Sequence, residues 1–299
     1  MKGKRDTIVL VDCSTIVYAA FHSYGTLNYH GKPTGIIYGF LKKILMLAKK
    51  FETTDFITCW DAGVSHRHSI YTQYKAKRLA KRAAESEDEK EQRNWMLAQS
   101  ISLNHRILPY LGFKNNYIRI NYEADDLLAY WVNRLKDSGK RLIMVTTDSD
   151  MFQCLDDCTI YNPSTKKLFT RIKFIKKYGV KPDEWAMAKA IGGCSGDNVI
   201  GVEGVSDPKK PSSKALKYLR GELGPGKILD RIKMAKDKIQ FNLKLVELPY
   251  KGTGETNRMI VRCNKYSRRR FIKTFDKYHF KSFLEKDKFE EWEEAFSLR

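Results

Sequence analysis

The sequence predicts an α/β protein built on a mainly parallel sheet flanked by helices, on three observations. Short apolar runs at Thr7 to Val11, Phe56 to Trp60 and Leu142 to Thr146 have the near-continuous hydrophobicity of strands buried on both faces. Helical stretches separate the runs, as crossovers between parallel strands require. Each run also stops at or just before an aspartate, at Asp12, Asp61 and Asp148. Parallel strands end on one side of a sheet, so these acids should meet at the edge where α/β proteins hold ligands.

The elements follow in order. After the first strand, Lys32-Pro33-Thr34-Gly35 punctuates the entry to an apolar helix from Ile36 to Ala48, the first crossover. Beyond the second strand, from Ser65 to about Gln99, Tyr71, Tyr74, Lys75, Lys77, Arg78, Lys81 and Arg82 precede a mixed-charge segment poor in aliphatic residues. This stretch cannot form much core, and reads either as a solvated helix or as a basic segment held over the acidic edge. Glu123-Ala124-Asp125-Asp126 opens a helix continuing through Leu127, Leu128, Trp131 and Leu135, with Glu123 and Asp126 in its first turn. The third strand leads to Thr147-Asp148-Ser149-Asp150. Past Tyr178 come an Ala-rich helix from Glu184 to Ile191, a Gly-rich loop and mostly helical patterning. A domain boundary is placed there, with residues 1–178 as the core, including the basic segment at about 65–99, and 179–299 as a second, mostly helical domain. Within the latter, Lys265 to Phe271 reads as a duplex-binding stripe or an exposed basic helix. Phe289 to Leu298 reads as a packing face or a partner motif.

Charge narrows the function classes. Fifty-five Lys and Arg against thirty-five Asp and Glu give a net charge of +20 over 299 residues, a field suited to a polyanion such as nucleic acid. The acids concentrate at the strand ends and in Glu85 to Glu91, while Lys75 to Arg82 and Arg268 to Arg270 are basic blocks. An acidic pocket within a basic surface is hard to explain by solubility. No apolar run approaches the roughly 20 residues needed to cross a bilayer, so a membrane role is not expected. Six cysteines with no Cys-x-x-Cys and no secretory leader fit a reduced intracellular compartment.

Asp12, Asp61, Glu123, Asp125, Asp126, Asp148 and Asp150 are all expected near one edge. Carboxylates gathered that closely must take up protons or find a cation. Oxygen donors without a companion His select Mg²⁺ or Mn²⁺ over zinc, and two such ions about 3.5–4 Å apart can clamp a phosphodiester. Capping a helix accounts for a single acid such as Glu123 or Asp126, but not for the set.

Read in order, the residues resemble the 5′-nuclease family: flap endonucleases, the 5′-nuclease domains of bacterial DNA polymerases and, most closely, phage 5′ to 3′ exonucleases with ribonuclease H activity. The resemblance is carried by Val11-Asp12, Lys32-Pro33-Thr34-Gly35 with Tyr38-Gly39, and Trp60-Asp61 followed by Arg67. It continues in Tyr74-Lys75-Ala76-Lys77-Arg78, Tyr122-Glu123-Ala124-Asp125-Asp126 and Thr147-Asp148-Ser149-Asp150. It ends in Gly196-Asp197-Asn198 with Gly201-Val202-Glu203-Gly204-Val205. It implies a PIN-like nuclease core, a helical arch over it and a C-terminal helix-hairpin-helix domain that holds duplex phosphates. It further implies Asp12, Asp61, Asp125 and Asp148 as ligands of a first Mg²⁺ and Asp150 and Asp197 as ligands of a second, with Glu123 and Asp126 in or beside the inner shell and Mn²⁺ able to substitute. Lys75 and Arg78 match the catalytic cations of the arch. Arg67, Tyr74, Lys77, Lys81 and Arg82 would contact nucleic acid, as would Gly201 and Gly204 of the hairpin, where relatives often hold a monovalent cation.

Two departures stand out. Relatives carry Gly-Asp-x-x-Asp-Asn where this chain reads Gly193-Cys194-Ser195-Gly196-Asp197-Asn198. One second-metal carboxylate is thereby replaced by a thiol, a poor Mg²⁺ ligand. The other departure follows Val205, where Ser206-Asp207-Pro208-Lys209-Lys210-Pro211 replaces the family's Gly-x-Lys. The resemblance implies a monomeric 5′ to 3′ exonuclease and flap endonuclease acting on 5′ ends or flaps of DNA or RNA·DNA hybrid. It would remove lagging-strand RNA primers beside replication proteins such as a single-strand-binding protein or a clamp, in the cytoplasm, the host's if phage-encoded. Two rivals stay open: a junction-binding module whose second metal site is too depleted to cut, and a small PIN-like ribonuclease acting on single-stranded RNA.

Overall fold

The computed structural model describes residues 6–206, 212–254 and 261–298. Strand β1 (Thr7–Asp12) runs into α1 (Cys13–Tyr24), the short ribbon β2 (Asn28–Tyr29) and β3 (Lys32–Pro33), and α2 (Gly35–Phe51). After β4 (Phe56–Trp60) come α3 (His66–Ile70), α4 (Ala76–Ala83) and α5 (Glu87–Ser102), the last passing through a π turn at Leu103–Ile107 into α6 (Leu108–Leu111). Strand β5 (Asn116–Ile118), α7 (Ala124–Leu135) and β6 (Arg141–Val145) precede a 3-10 turn at Ser149–Cys154, then β7 (Thr159–Asn162), β8 (Lys167–Phe169) and α8 (Arg171–Tyr178). The chain continues through α9 (Trp185–Gly192), the ribbon β9 (Gly193–Cys194) and β10 (Val199–Ile200), α10 (Ser213–Leu219), α11 (Lys227–Met234) and α12 (Lys236–Val246). It closes with α13 (Arg268–Lys277), α14 (Lys281–Leu284) and α15 (Lys286–Phe296).

The main sheet has the order β5-β4-β1-β6-β7-β8, and all its pairings are parallel except β7 with β8. From β1 the chain moves outward to β4 and β5, then returns to the opposite flank of β1 at β6. The switch in direction falls between β1 and β6, where α/β sheets open a crevice at their carboxyl ends. Every residue of β1 is buried, as its unbroken apolar run requires. Val9 and Val11 point into a core shared with α1 and α2, whereas Ile8 and Leu10 point into one shared with α7 and α9. No helix among the described residues is long and apolar enough to cross a membrane.

The expected boundary after Tyr178 does not divide the packing. Phe271, Phe275, Phe289, Trp292 and Phe296 are buried in the same core as Val9, Val11, Phe40 and Trp60. Helices α13–α15 therefore complete one face of the main sheet instead of forming part of a separate unit. Burying side chains of this size contributes roughly 1.5–3 kcal/mol each. The same packing corrects the partner-motif reading of Phe289 to Leu298, because its aromatic face is spent on the core and is unavailable to a clamp.

Candidate metal centre and nucleic-acid interface

Asp12 is the last residue of β1 and caps α1. Its Oδ1 accepts from the Thr15 amide at 3.1 Å, and its Oδ2 accepts from the Thr15 and Thr146 hydroxyls at 2.6 and 2.8 Å. Burial nevertheless pushes its pKa up to about 6, with help from the charge of Asp61 and against the hydrogen bonds from Thr15 and Thr146. Asp61 lies one residue past β4, at the same edge of the sheet and two residues beyond Cys59, the register partner of Asp12. Its oxygens accept from the Ala124 amide at 2.9 Å and the Ser14 hydroxyl at 2.5 Å, joining the end of β4 to α1 and α7.

Asp125, in the first turn of α7, is held well above the usual carboxylate range, first by burial and then by Asp148, Asp12, Asp61 and Glu123. Asp148 follows β6, where its backbone N–H donates to Thr146 Oγ1 at 3.0 Å and its Oδ1 accepts from the Asp150 amide at 2.8 Å. Oxygen donors whose charges act together on the buried Asp125 fit a hard divalent cation, whose charge would relieve the repulsion there.

Among the described residues, one group brings three ligand atoms within 4.8 Å of one another: Asp150, Cys194 and Asp197. It lies where the turn after β6 meets β9 and the following turn. The Cys194 thiol donates to Asp197 Oδ2 at 3.5 Å, and burial together with Asp197 raises its pKa, favouring the neutral thiol. Lys189, absent from the expected site, reaches this group from α9 and forms an ion pair with Asp150 Oδ1. A charged residue on the inner face of an otherwise Ala-rich helix was the available sequence signal.

The basic segment arches over this edge. Lys75 stands at the start of α4 with φ 56°, and its amide donates to the Asp197 carbonyl at 2.9 Å. Its ammonium pairs with Glu123 and lies 3.9 Å from Asp197 Oδ1. Arg78 reaches the same oxygen at 3.1 Å. Asn198 Nδ2 donates to the Gln73 carbonyl at 2.9 Å, so the base of the arch is fastened to the turn that carries Asp197. Lys77, Lys81 and Arg82 are exposed, and α4 buries none of its residues.

Four expected site residues have other roles here. Arg67 is 1% exposed. It donates to both oxygens of Asp126 at 2.7 and 2.8 Å, and to the Leu245 and Glu247 carbonyls. Burial works against its charge, but Asp126 holds its pKa above the ordinary guanidinium value. It is an internal cation that ties α3 to α7 and to the end of α12. Asp126, fully buried, also accepts from the Tyr250 amide at 2.8 Å and the Glu123 amide at 3.2 Å, so both its oxygens are engaged within the protein. Tyr74 is buried with its hydroxyl donating to Glu123 Oε2 at 2.9 Å. It supports the basic segment from beneath. Gly201 is buried against Gly192, where a Cβ would stand 2.4 Å from the Gly192 carbonyl, so its small size serves packing. Gly204 is exposed at φ 76°, as a hairpin tip requires. Residues 207–211 of the altered hairpin, and with them the question of its monovalent cation, lie outside the described residues.

A family model for the 5′-3′ exonuclease N-terminal, resolvase-like domain matches residues 7–179. The fold and its acidic edge are thus those of an α/β nuclease. The chain belongs to the 5′-3′ exonuclease family. It is 31% identical to a 5′-3′ exonuclease of Aquifex aeolicus over 71% of this chain and 70% of the relative. It is 30% identical to the thermostable DNA polymerase I of Thermus aquaticus over 82% of this chain, but spans only 28% of that enzyme. Among solved structures, T5 5′-exonuclease with bound zinc superposes with a TM-score of 0.70 at 22% identity, covering 81% of this chain and 90% of the other. The catalytic core of Rad2 in complex with DNA substrate gives 0.53 at 17%, covering 93% and 91%. These two likenesses concern the fold.

Proposed function

We propose that this chain is a Mg²⁺-dependent, structure-selective 5′ nuclease that hydrolyses phosphodiesters near 5′ ends or flaps of DNA and of RNA·DNA hybrid. Its role would be removal of RNA primers from lagging-strand fragments. What supports the reading is that the charges of Asp148, Asp12 and Asp61 all act on the buried Asp125 at the carboxyl edge of the sheet, beside a basic segment whose Lys75 and Arg78 pair with Glu123 and Asp197. The four acids would hold the first divalent ion, which when bound supplies an activated water and stabilises charge on the phosphate. Asp150 and Asp197 would face a second, with Cys194 in place of a third donor and Glu123 alongside.

Lys75 and Arg78 are engaged by Glu123 and Asp197, acids of the same site, so an entering phosphate can exchange for these partners without moving the arch far. Two cations placed beside the scissile phosphate lower the barrier by favouring the developing charge. Lys77, Lys81 and Arg82 would follow the single strand, and Gly204 the duplex backbone. Contacts of this kind select shape over sequence.

One assay tests the reading. Labelled 5′-flap DNA, nicked RNA·DNA hybrid and single-stranded RNA are incubated with Mg²⁺, with Asp148→Asn as control. Cutting of the flap and the hybrid to 5′-phosphate and 3′-hydroxyl ends, lost in Asp148→Asn, is expected. Retardation without cutting would instead mark a junction-binding module, and cutting of RNA alone a single-strand ribonuclease.

A further inference from the structure

The second acidic group contains a cation of its own. Lys189 is 8% exposed, a rare state for lysine unless it is paired, and its ammonium is seated on Asp150. The placement is imposed by packing. Trp185, one helical turn earlier on α9 and 1% exposed, donates from Nε1 to the Ser149 carbonyl at 2.8 Å, fixing α9 against the turn that presents Asp150. The position four residues on is then aimed at Asp150 itself. Cys194 and Asp197 complete the group within 4.8 Å, with the thiol bonded to Asp197. Asp197 is further contacted by Arg78.

This donor set does not suit a second Mg²⁺. An octahedral ion that prefers oxygen would find two carboxylates, a thiol that is a weak partner for it, and an ammonium already on one of the carboxylates. We infer that Lys189 serves as the built-in second cation of this nuclease, so that the free chain takes up one divalent ion where a two-ion site would take two. The inference rests on the proposed nuclease reading and revises its second ion. The cysteine and the lysine then act in the same direction, because a third carboxylate at position 194 would add the charge that draws a divalent ion in, while the lysine offsets that of Asp150. Lys189 is a positioning and charge-balancing residue; it does not touch the reacting atoms.

The test counts ions. Mn²⁺ is titrated calorimetrically into the nucleic-acid-free protein, and bound Mn²⁺ is examined by electron paramagnetic resonance, in which two ions a few ångströms apart give a spin-coupled spectrum. Wild type is expected to bind one uncoupled Mn²⁺ per chain, and Lys189→Met/Cys194→Asp two coupled ions. Flap cleavage should rise with Mg²⁺ at a Hill coefficient near one in the wild type and toward two in the double variant. Lys189→Arg, which keeps the charge, should still bind one ion, and serves as a second comparison should the double variant fold poorly. Two coupled ions in the wild type would overturn the inference while leaving the nuclease reading intact. One ion in a folded double variant would also overturn it. No Mn²⁺ binding and no flap cleavage by the wild type would remove the nuclease reading, and the inference with it.

Discussion

Arg67 and Arg78 lie eleven positions apart in one basic stretch, yet the fold gives them opposite work. Arg67 is sealed among Asp126, two carbonyls and the Tyr250 ring, which stands 5.0 Å away, whereas the Arg78 side chain is 55% exposed. Removing one partner of a buried pair leaves the other charge uncompensated, at a cost of about 3–5 kcal/mol. Arg67→Met should lower unfolding free energy by that much in a urea titration. Arg78→Ala should change it by less than about 0.5 kcal/mol, as exposed sites do, while strongly reducing cleavage; equal destabilisation by the two would contradict the assignment. Asp12 makes a second residue-scale prediction. Its folded pKa of about 6 lies above the unfolded value of about 3.9. Its contribution to stability is therefore fully present below the unfolded value and lost as pH rises through the folded one. A divalent ion needs the ionised form and restores what is lost. The rise in melting temperature on adding saturating Mg²⁺ should accordingly be larger at pH 7.5 than at pH 5.5, and Asp12→Asn should remove most of that difference; scanning calorimetry at the two pH values decides it.

Among the elements, α4 is unusual in contributing nothing to the core. Its apolar residue Leu79 is half exposed and its Lys77, Lys81 and Arg82 face solvent, while Lys75 at its base is fastened to Glu123 and the Asp197 turn. Such a helix is held by its base, and its exposed charges would face a phosphate backbone. Replacing Lys77, Lys81 and Arg82 together by Ala should flatten the salt dependence of single-strand binding by a log–log slope of about 2, from about 0.7 per phosphate contact. Fluorescence anisotropy across a salt series reads that slope, and an unchanged slope would take these residues out of the interface. That α4 stays out of the core was legible in the sequence, because a basic run poor in aliphatics has no core to enter, but the residues left its place over the acids open and only the family resemblance pointed to an arch. The strands were legible for the converse reason, their runs being apolar throughout. What sequence could not separate was Arg67 from its neighbours, because its partners at Asp126, Leu245 and Glu247 are remote in the chain. Gly201 was misread on similar grounds: a glycine needed for contact with Gly192 looks the same as one needed for contact with phosphate. Lys189 went unnoticed because its meaning depends on Asp150 and Cys194 meeting in space.

At the scale of the whole molecule, the acidic edge depends on a sheet covered on both faces, and one cover is completed from the far end of the chain. Helices α13 and α15 bring Phe271, Phe275, Trp292 and Phe296 onto the face formed by Val9, Phe56 and Val145. The aromatic spacing at Phe289 to Leu298 announced a buried face without naming the surface it would cover, which is why a boundary near residue 178 looked acceptable. The arch has a similar dependence, since Tyr74 packs with Ala186, Ile191 and Val199, all beyond that boundary. A fragment ending at residue 178 would lose the aromatic cover of the first core, Trp185 and Ala188 from the second, and the seat of Tyr74. Losing even four large aromatic side chains from burial removes on the order of 6–12 kcal/mol, comparable to the whole stability of a typical domain. Residues 1–178 expressed alone should therefore lack a cooperative thermal transition and bind a hydrophobic dye. Cooperative unfolding of that fragment at a temperature near that of the full chain would show that the nuclease sheet closes its own core. In that case α13–α15 would be an accessory layer, and the acids at the switch point would owe their arrangement to the first 178 residues alone.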